Sequence, residues 1–251
     1  MSLPTWPYPQ YWAHRGAGKQ APENTLAAFR LGASFGYRAF ECDVKLSADG
    51  KAFLLHDDTL NRTSDGKGRA DQLTMGELAQ LDAGSWHSAT YAGEPLPTLR
   101  SILHFVCTND LMINVEIKPT TGREYETGAA VAMDVANQWL GDLPPLLSSF
   151  SEVALMGARA AVPALPRAWL VESLPEDWLD RLQQLDCVAL DADHRLLTAE
   201  IVQRAKAHGF RVLCYTVNDA ERAKQLLAWG VDSVITDEVH RIDPNEGTLH
   251  P

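Results

Sequence analysis

Four short strings hold the residues best suited to chemistry: AHRG (13–16), FECDVK (40–45), LLHDD (54–58) and NVEIK (114–118). In a strand, alternate side chains share a face, so Glu41 and Asp43 point one way and Cys42 the other. Asn114, Glu116 and Lys118 likewise share a face, with Val115 and Ile117 on its opposite side. Carboxylates crowded on a buried face lose hydration and repel, and need a cation or a proton. Glu41, Asp43 and Glu116 together make an all-oxygen donor set suited to Mg²⁺ or Ca²⁺ rather than zinc. The plainer readings are solvated acids at a strand end for the first pair and an ion pair with Lys118 for Glu116.

His14 and His56 each end an apolar run. Two histidines beside a metal give an acid, a base and a Lewis acid, which suffices for phosphoester hydrolysis. Arg15 can hold a phosphate through paired hydrogen bonds, and Lys118 can add a point charge. Pairing with the carboxylates is the competing use of both. Of the other histidines, His87 is a further ligand-contact candidate, while His104, His194, His208, His240 and His250 read as surface residues. Trp86 either covers the mouth of a site or anchors a local core. Gly16 and Gly18 let the backbone bend near a ligand, and Asn218 reads as a helix cap. Asp191 points inward in the register read here, as a substrate contact or, more simply, as a buried hydrogen-bonding group.

These residues need a scaffold that brings distant segments together. Apolar runs at 10–14, 37–44, 51–56, 112–117, 145–149, 166–171, 186–191, 210–217 and 232–236 read as strands. Helical patterns lie between most of them, at 23–35, 99–108, 124–140, 151–160, 176–185, 198–208 and 219–228, the first entered through Pro22 with Glu23 in its opening turn. Strand and helix alternating over some 240 residues imply an α/β fold with a parallel sheet. The count suits a (β/α)8 TIM barrel, with a doubly wound open sheet as the structural alternative. The barrel spans 9–240, and a Gly-, Asp- and Ser-rich stretch at 57–97 reads as a small inserted subdomain after the second βα region.

The formal net charge of −11 argues against nucleic acid or an anionic membrane as principal partner. Cys42, Cys107, Cys187 and Cys214 form no CxxC pair and read as reduced, mostly buried residues. The first residues lack the basic and apolar regions of a signal peptide, and no apolar run reaches membrane-spanning length, so the cytoplasm is the default location.

The strings AHRG…APENTLAAF, ECDVKLSADGKAFLLHDDTLNRTSDGKG, ELAQLDAGSW, PLPTL, NVEIKP, YTVN and WGVDSVITD occur in order along nearly the whole chain. In this ordered set the sequence resembles the glycerophosphodiester phosphodiesterase family, and looks closest to its cytosolic bacterial type linked to glycerol-3-phosphate uptake. The resemblance implies a TIM barrel that hydrolyses glycerophosphodiesters to sn-glycerol 3-phosphate and an alcohol. It places metal ligands at Glu41, Asp43 and Glu116, catalytic histidines at His14 and His56, and phosphate contacts at Arg15 and Lys118. It also implies one divalent ion, Mg²⁺ with Ca²⁺ or Mn²⁺ as alternatives. The expected partner is a small diester, with no nucleic acid or membrane, on a monomer or homodimer. Tyr215 stands where the family often has Trp, which keeps an aromatic wall; with Trp86 it completes the expected substrate contacts. His56 is assigned as acid and His14 as base. Water and the glycerol 2-hydroxyl both remain open as nucleophile. A phospholipase-like enzyme acting on lipid headgroups and a non-catalytic barrel binding module are the competing functions.

Overall fold

A computed structural model describes residues 5–245. Its elements are β1 (Tyr11–Ala13), α1 (Leu26–Ser34), β2 (Ala39–Leu46), β3 (Ala52–Leu54), α2 (Met75–Leu78), α3 (Leu99–Thr108), β4 (Met112–Ile117), α4 (Glu124–Gln138) and β5 (Leu146–Ser149). There follow α5 (Glu152–Ala161), β6 (Arg167–Val171), α6 (Trp178–Gln184), β7 (Ala189–Asp193), α7 (Ala199–Ala207), β8 (Arg211–Tyr215), α8 (Ala220–Trp229) and β9 (Ser233–Thr236). Eight strands pair in parallel in the order β1-β9-β8-β7-β6-β5-β4-β2, and β1 also pairs with β2, so the sheet closes into a barrel. Helix starts are set locally. The side chains of Thr25, Thr98, Ser151, Thr198 and Asp219 each accept from an amide in the first turn of α1, α3, α5, α7 and α8.

Two expected elements differ. The run at 51–56 gives β3, which pairs antiparallel with the far end of β2, Val44 opposite Leu54 and Leu46 opposite Ala52. It is therefore a hairpin return and not a barrel stave. The first helix starts at Leu26 rather than at residue 23, because Asn24 adopts a left-handed backbone with φ of 61° that an α-helix cannot continue through.

The strands' alternation separates two interiors. Outward residues such as Phe40, Cys42, Val44, Val115, Leu147 and Val212 pack under the helices. Inward ones divide by height. At the bottom, Tyr8, Trp12, Ala39, Leu146, Ala168, Ala189, Leu213 and Ile235 form an apolar floor. Above it the inward residues become polar. Outside the barrel, α4 and α5 approach through two glycines: a Cβ on Gly128 would lie 1.9 Å from the Ala154 carbonyl, and one on Gly157 would lie 2.1 Å from that of Tyr125. A third cluster, Phe53, Leu55, Leu60, Ala70, Leu78, Ala83 and Leu96, fills the segment between β2 and α3. The expected 57–97 segment thus shares its core with the β2–β3 hairpin. Cys42, Cys187 and Cys214 are buried, Cys107 is half-buried, and all four are free thiols. No helix among the described residues is long and apolar enough to cross a membrane.

Candidate active site

The barrel registers bring the carboxylates together. Asp43 on β2 lies opposite Glu116 on β4, and Glu41 lies opposite Asn114. One oxygen from each of Glu41, Asp43 and Glu116 falls within 4.8 Å of the others. All three side chains are buried. Glu41 Oε1 and Asp43 Oδ1 have no hydrogen-bond donor in the protein, and Glu116 Oε1 meets only the Lys118 ammonium, at 3.0 Å and off the line of a hydrogen bond. Three converging carboxylates with orphaned oxygens fit a hard divalent cation. Their electrostatics show the same strain. Burial, then the charges of Asp43 and Glu116, push the Glu41 carboxyl well above the usual range. Burial and the Asp43 charge push Glu116 up to about 7. Burial also acts on Asp43, but the Arg15 and Lys118 charges and the Asn24 amide outweigh it and hold that carboxyl low.

The loop after β1 supplies the positive wall. Arg15 sits in the left-handed region, φ 49°, and its amide donates to Glu41 Oε2 at 3.1 Å while its carbonyl accepts from the Asn24 amide. Asn24 in turn donates from Nδ2 to Asp43 and accepts from the Asp43 amide. Two left-handed, non-glycine residues held face to face are costly, and here the hydrogen bonds to two metal-site carboxylates hold them. The Arg15 guanidinium reaches Asp43 at 3.1 Å and Glu23 at 2.9 Å. The nearby glycines serve packing. A Cβ on Gly16 would lie 2.8 Å from that of Ala28, and one on Gly18 would lie 2.1 Å from the Asp237 carbonyl. They bring α1 and the end of β9 against this loop, and are not placed for a ligand's approach.

The two histidines have different supports. His14 follows β1; its Nδ1 donates to Asp237 Oδ1 at 2.6 Å, and its Nε2 faces Glu41 Oε2 at 3.7 Å. His56 arrives on the hairpin strand β3 rather than at the end of a barrel stave. Its Nε2 lies 3.2 Å from Lys118 Nζ, a group that can only donate, so Nε2 accepts and Nδ1 carries the hydrogen bonded to Asp57 at 2.8 Å. Burial, opposed by the Asp43 charge and helped by those of Arg15 and Lys118, lowers the His56 pKa and favours the neutral ring.

These groups line one cavity of about 470 Å³ at the carboxyl ends of the barrel strands. His14, Arg15, Glu41, His56, Glu116, Lys118 and Tyr215 all border it, while Asp43 lies just behind. Tyr215 donates its hydroxyl to the Val171 carbonyl and packs edge-on against Phe150. Lys118 sits over the Phe150 ring. Trp86 is not among the lining residues. Its indole nitrogen donates to the Ala83 carbonyl on the insertion's surface, and its ring belongs to neither the cavity nor the local core. His87 contacts the Lys19 carbonyl instead of the cavity. His104, His208 and His240 are exposed, His194 is half-buried, and His250 lies outside the described residues.

The sequence profile of the Glycerophosphoryl diester phosphodiesterase family matches residues 14–241. The chain belongs to this family. It is 31% identical over 228 residues to a glycerophosphodiester phosphodiesterase of Caldanaerobacter subterraneus subsp. tengcongensis, covering 90% of this chain and 93% of that one. It superposes with a TM-score of 0.92 and 39% identity on an Oleispira antarctica phosphodiesterase solved with its product sn-glycerol-3-phosphate, over 96% of this chain and 98% of that one. A glycerophosphodiester phosphodiesterase from Thermotoga maritima, 24% identical with a TM-score of 0.74 over 94% of this chain and 97% of that one, shares the fold.

In this glycerophosphodiester phosphodiesterase, several residues around the cavity have roles that sequence reading does not assign. Asn218 does not cap α8, since Asp219 does; Asn218 instead donates to Asp237 and fixes the carboxylate behind His14. Glu23 lies before α1 and is bound through both oxygens by Arg62, which also binds Asp57 through two hydrogen bonds. A chain of ion pairs thus runs Arg15, Glu23, Arg62, Asp57, His56. Arg62 lies in the stretch NRTSDG, where turn-forming residues hide it. Asp237 closes the string WGVDSVITD, but nothing in that string ties it to His14. Asp191 is the sharpest difference: it is fully buried and faces the cavity, yet neither carboxylate oxygen has a partner, so it is not a satisfied buried hydrogen-bonding residue.

Proposed function

We propose that this chain hydrolyses glycerophosphodiesters such as glycerophosphocholine and glycerophosphoethanolamine to sn-glycerol 3-phosphate and an alcohol, in a reaction that depends on a divalent ion, Mg²⁺ foremost. The observation that carries this reading is the meeting, in one cavity, of three buried carboxylates with orphaned oxygens, two cationic side chains and two histidines of different hydrogen-bonding state. The product named for the Oleispira antarctica relative supports the same substrate class.

Glu41, Asp43 and Glu116 would hold the ion, which when bound supplies Lewis acidity toward the phosphoryl group. Arg15 and Lys118 offset the anionic charge of the diester, and Lys118 also keeps His56 Nε2 as an acceptor. A neutral imidazole that borders the cavity with Nε2 unprotonated suits proton abstraction, so His56 removes the proton of the nucleophile. His14, its Nδ1–H tied to the Asp237 carboxylate, directs Nε2 into the cavity and delivers a proton to the leaving alkoxide. This reverses the acid and base roles expected from sequence, for a reason sequence does not carry: which ammonium or carboxylate stands beside each ring. Phe150 and Tyr215 form the aromatic side of the alcohol pocket.

The test couples released glycerol 3-phosphate to its dehydrogenase. The wild type should turn over glycerophosphocholine with Mg²⁺, lose activity to a chelator and recover it with added ion. His14→Ala and His56→Ala should each lower kcat by about 10²- to 10⁴-fold. Mg²⁺ should raise the thermal midpoint of the wild type and leave that of Glu41→Gln unmoved. Absence of glycerol 3-phosphate with every diester and every divalent ion would refute the assignment.

A further inference from the structure

Above the apolar floor, level with the metal-site carboxylates, lies a layer of inward polar groups that the proposed chemistry does not use. Asn114 stands opposite Glu41, Ser148 opposite Glu116, and Asp191 opposite Leu170 and Leu213. Asn114 is 1% exposed, and Ser148 and Asp191 are fully buried. All three border the cavity that holds His14, Glu41 and Glu116. Neither amide atom of Asn114, nor Ser148 Oγ, nor either oxygen of Asp191 has a hydrogen-bond partner in the protein. The apolar residues beneath and beside them offer none, since they are Trp12, Leu146, Ala168, Ala189, Leu213 and Ile235 among others. Buried polar groups are ordinarily paired, and several unpaired ones converging on one cavity mark a place where something else completes them.

We propose that this layer is a polyol subsite, in which Asn114, Ser148 and Asp191 bind the hydroxyl groups of the substrate's glyceryl arm. The proposal rests on the diester reading above and extends it to the choice of alcohol. The chemistry of the three residues selects the ligand. Asn114 offers two donors and an acceptor, Ser148 one of each kind, and Asp191 acceptors, a set that a hydroxylated carbon chain satisfies because every hydroxyl both donates and accepts. The phosphate is directed away from Asp191 and toward Arg15 and Lys118 higher in the cavity. A trimethylammonium headgroup has no hydrogen-bonding hydrogen or lone pair to give these residues. The diester is thereby oriented with its glyceryl arm toward the floor and its other alcohol toward Phe150 and Tyr215.

The experiment compares calorimetric binding, in saturating Mg²⁺, of sn-glycerol 3-phosphate and propyl phosphate, which share charge and chain length but differ in the hydroxyls. The wild type should prefer glycerol 3-phosphate by at least about 100-fold, because a site built for hydroxyls rejects an analogue that lacks them. Asn114→Ala, Ser148→Ala and Asp191→Ala should each shrink that preference by about tenfold or more through weaker glycerol 3-phosphate binding, with propyl phosphate within about threefold of its wild-type affinity. Ligand-free Ser148→Ala, which removes one unpaired buried hydroxyl, should melt no lower than the wild type. A wild type that does not discriminate, variants that keep the preference, or equal weakening of both ligands would each overturn the subsite. Coupled turnover of glycerophosphocholine by the same wild type separates the two ideas: turnover with an unchanged preference in the variants removes only the subsite, and no turnover removes the diester reading itself.

Discussion

His14 and His56 are the same residue type with different backing, and the backing decides what each can do. Asp237 is the clearest case. Burial pushes its carboxyl up, but the His14 hydrogen bond and charge and the Asn218 amide outweigh it and bring it from 3.8 to about 2. A carboxyl depressed on folding contributes stability above its unfolded value, and that contribution is lost as pH falls through the folded one. Asp237→Asn should therefore be less stable than the wild type by about 2 kcal/mol at pH 6, with the gap closing as pH falls from about 4 to 2. Denaturant melts of both proteins across that range check it, and a gap independent of pH would contradict it. The same variant should lower kcat, because asparagine keeps one acceptor oxygen and no charge, and His14 Nδ1–H and the Asn218 amide then compete for that oxygen.

At the level of elements, the site depends on how loops are tied. Arg62 joins the loop after β1 to the hairpin that carries His56, through two hydrogen bonds each to Glu23 and Asp57. As half-exposed pairs they add little to stability, but they tie the two loops to each other. Arg62→Ala should lower kcat by about 10- to 100-fold, the usual effect of removing an orienting partner, with a small change in thermal midpoint; a large loss of stability with unchanged kcat would show the opposite role. The α4–α5 contact makes a complementary prediction. Gly128→Ala and Gly157→Ala each place a methyl within 2.1 Å of a backbone carbonyl. Each should destabilise the chain by about 1–3 kcal/mol, the range of an overpacked core, and leave KM unchanged. Much of this level was legible beforehand, because the apolar periods marked the barrel strands and most of the helices. The pairing sense of β3 was not, since FLLH reads alike as a stave or a hairpin return. The start of α1 was missed because Asn24 is held out of the helix by Asp43, a contact 19 residues away in sequence.

For the molecule as a whole, strand–helix alternation over most of the chain was enough to specify a closed parallel barrel. The three carboxylates, Arg15 and Lys118 were readable from two-residue alternation on β2 and β4 and from the turn after β1. What stayed hidden was whatever needs the barrel to exist first: Asp237 behind His14, Arg62 between Glu23 and Asp57, and an unpaired Asp191. Each depends on segments that only closure makes neighbours. Closure has its own timing. Glu41, Asp43, Glu116 and Lys118 are all present once β4 has been made, yet β1 finds its second neighbour, β9, only at the end of the barrel, where Ala13 pairs with Thr236 and His14 meets Asp237. On a translating ribosome, a nascent chain would hold the cation-binding half of the site long before it could seat its first histidine. The onset of turnover would then coincide with the emergence of the last strand.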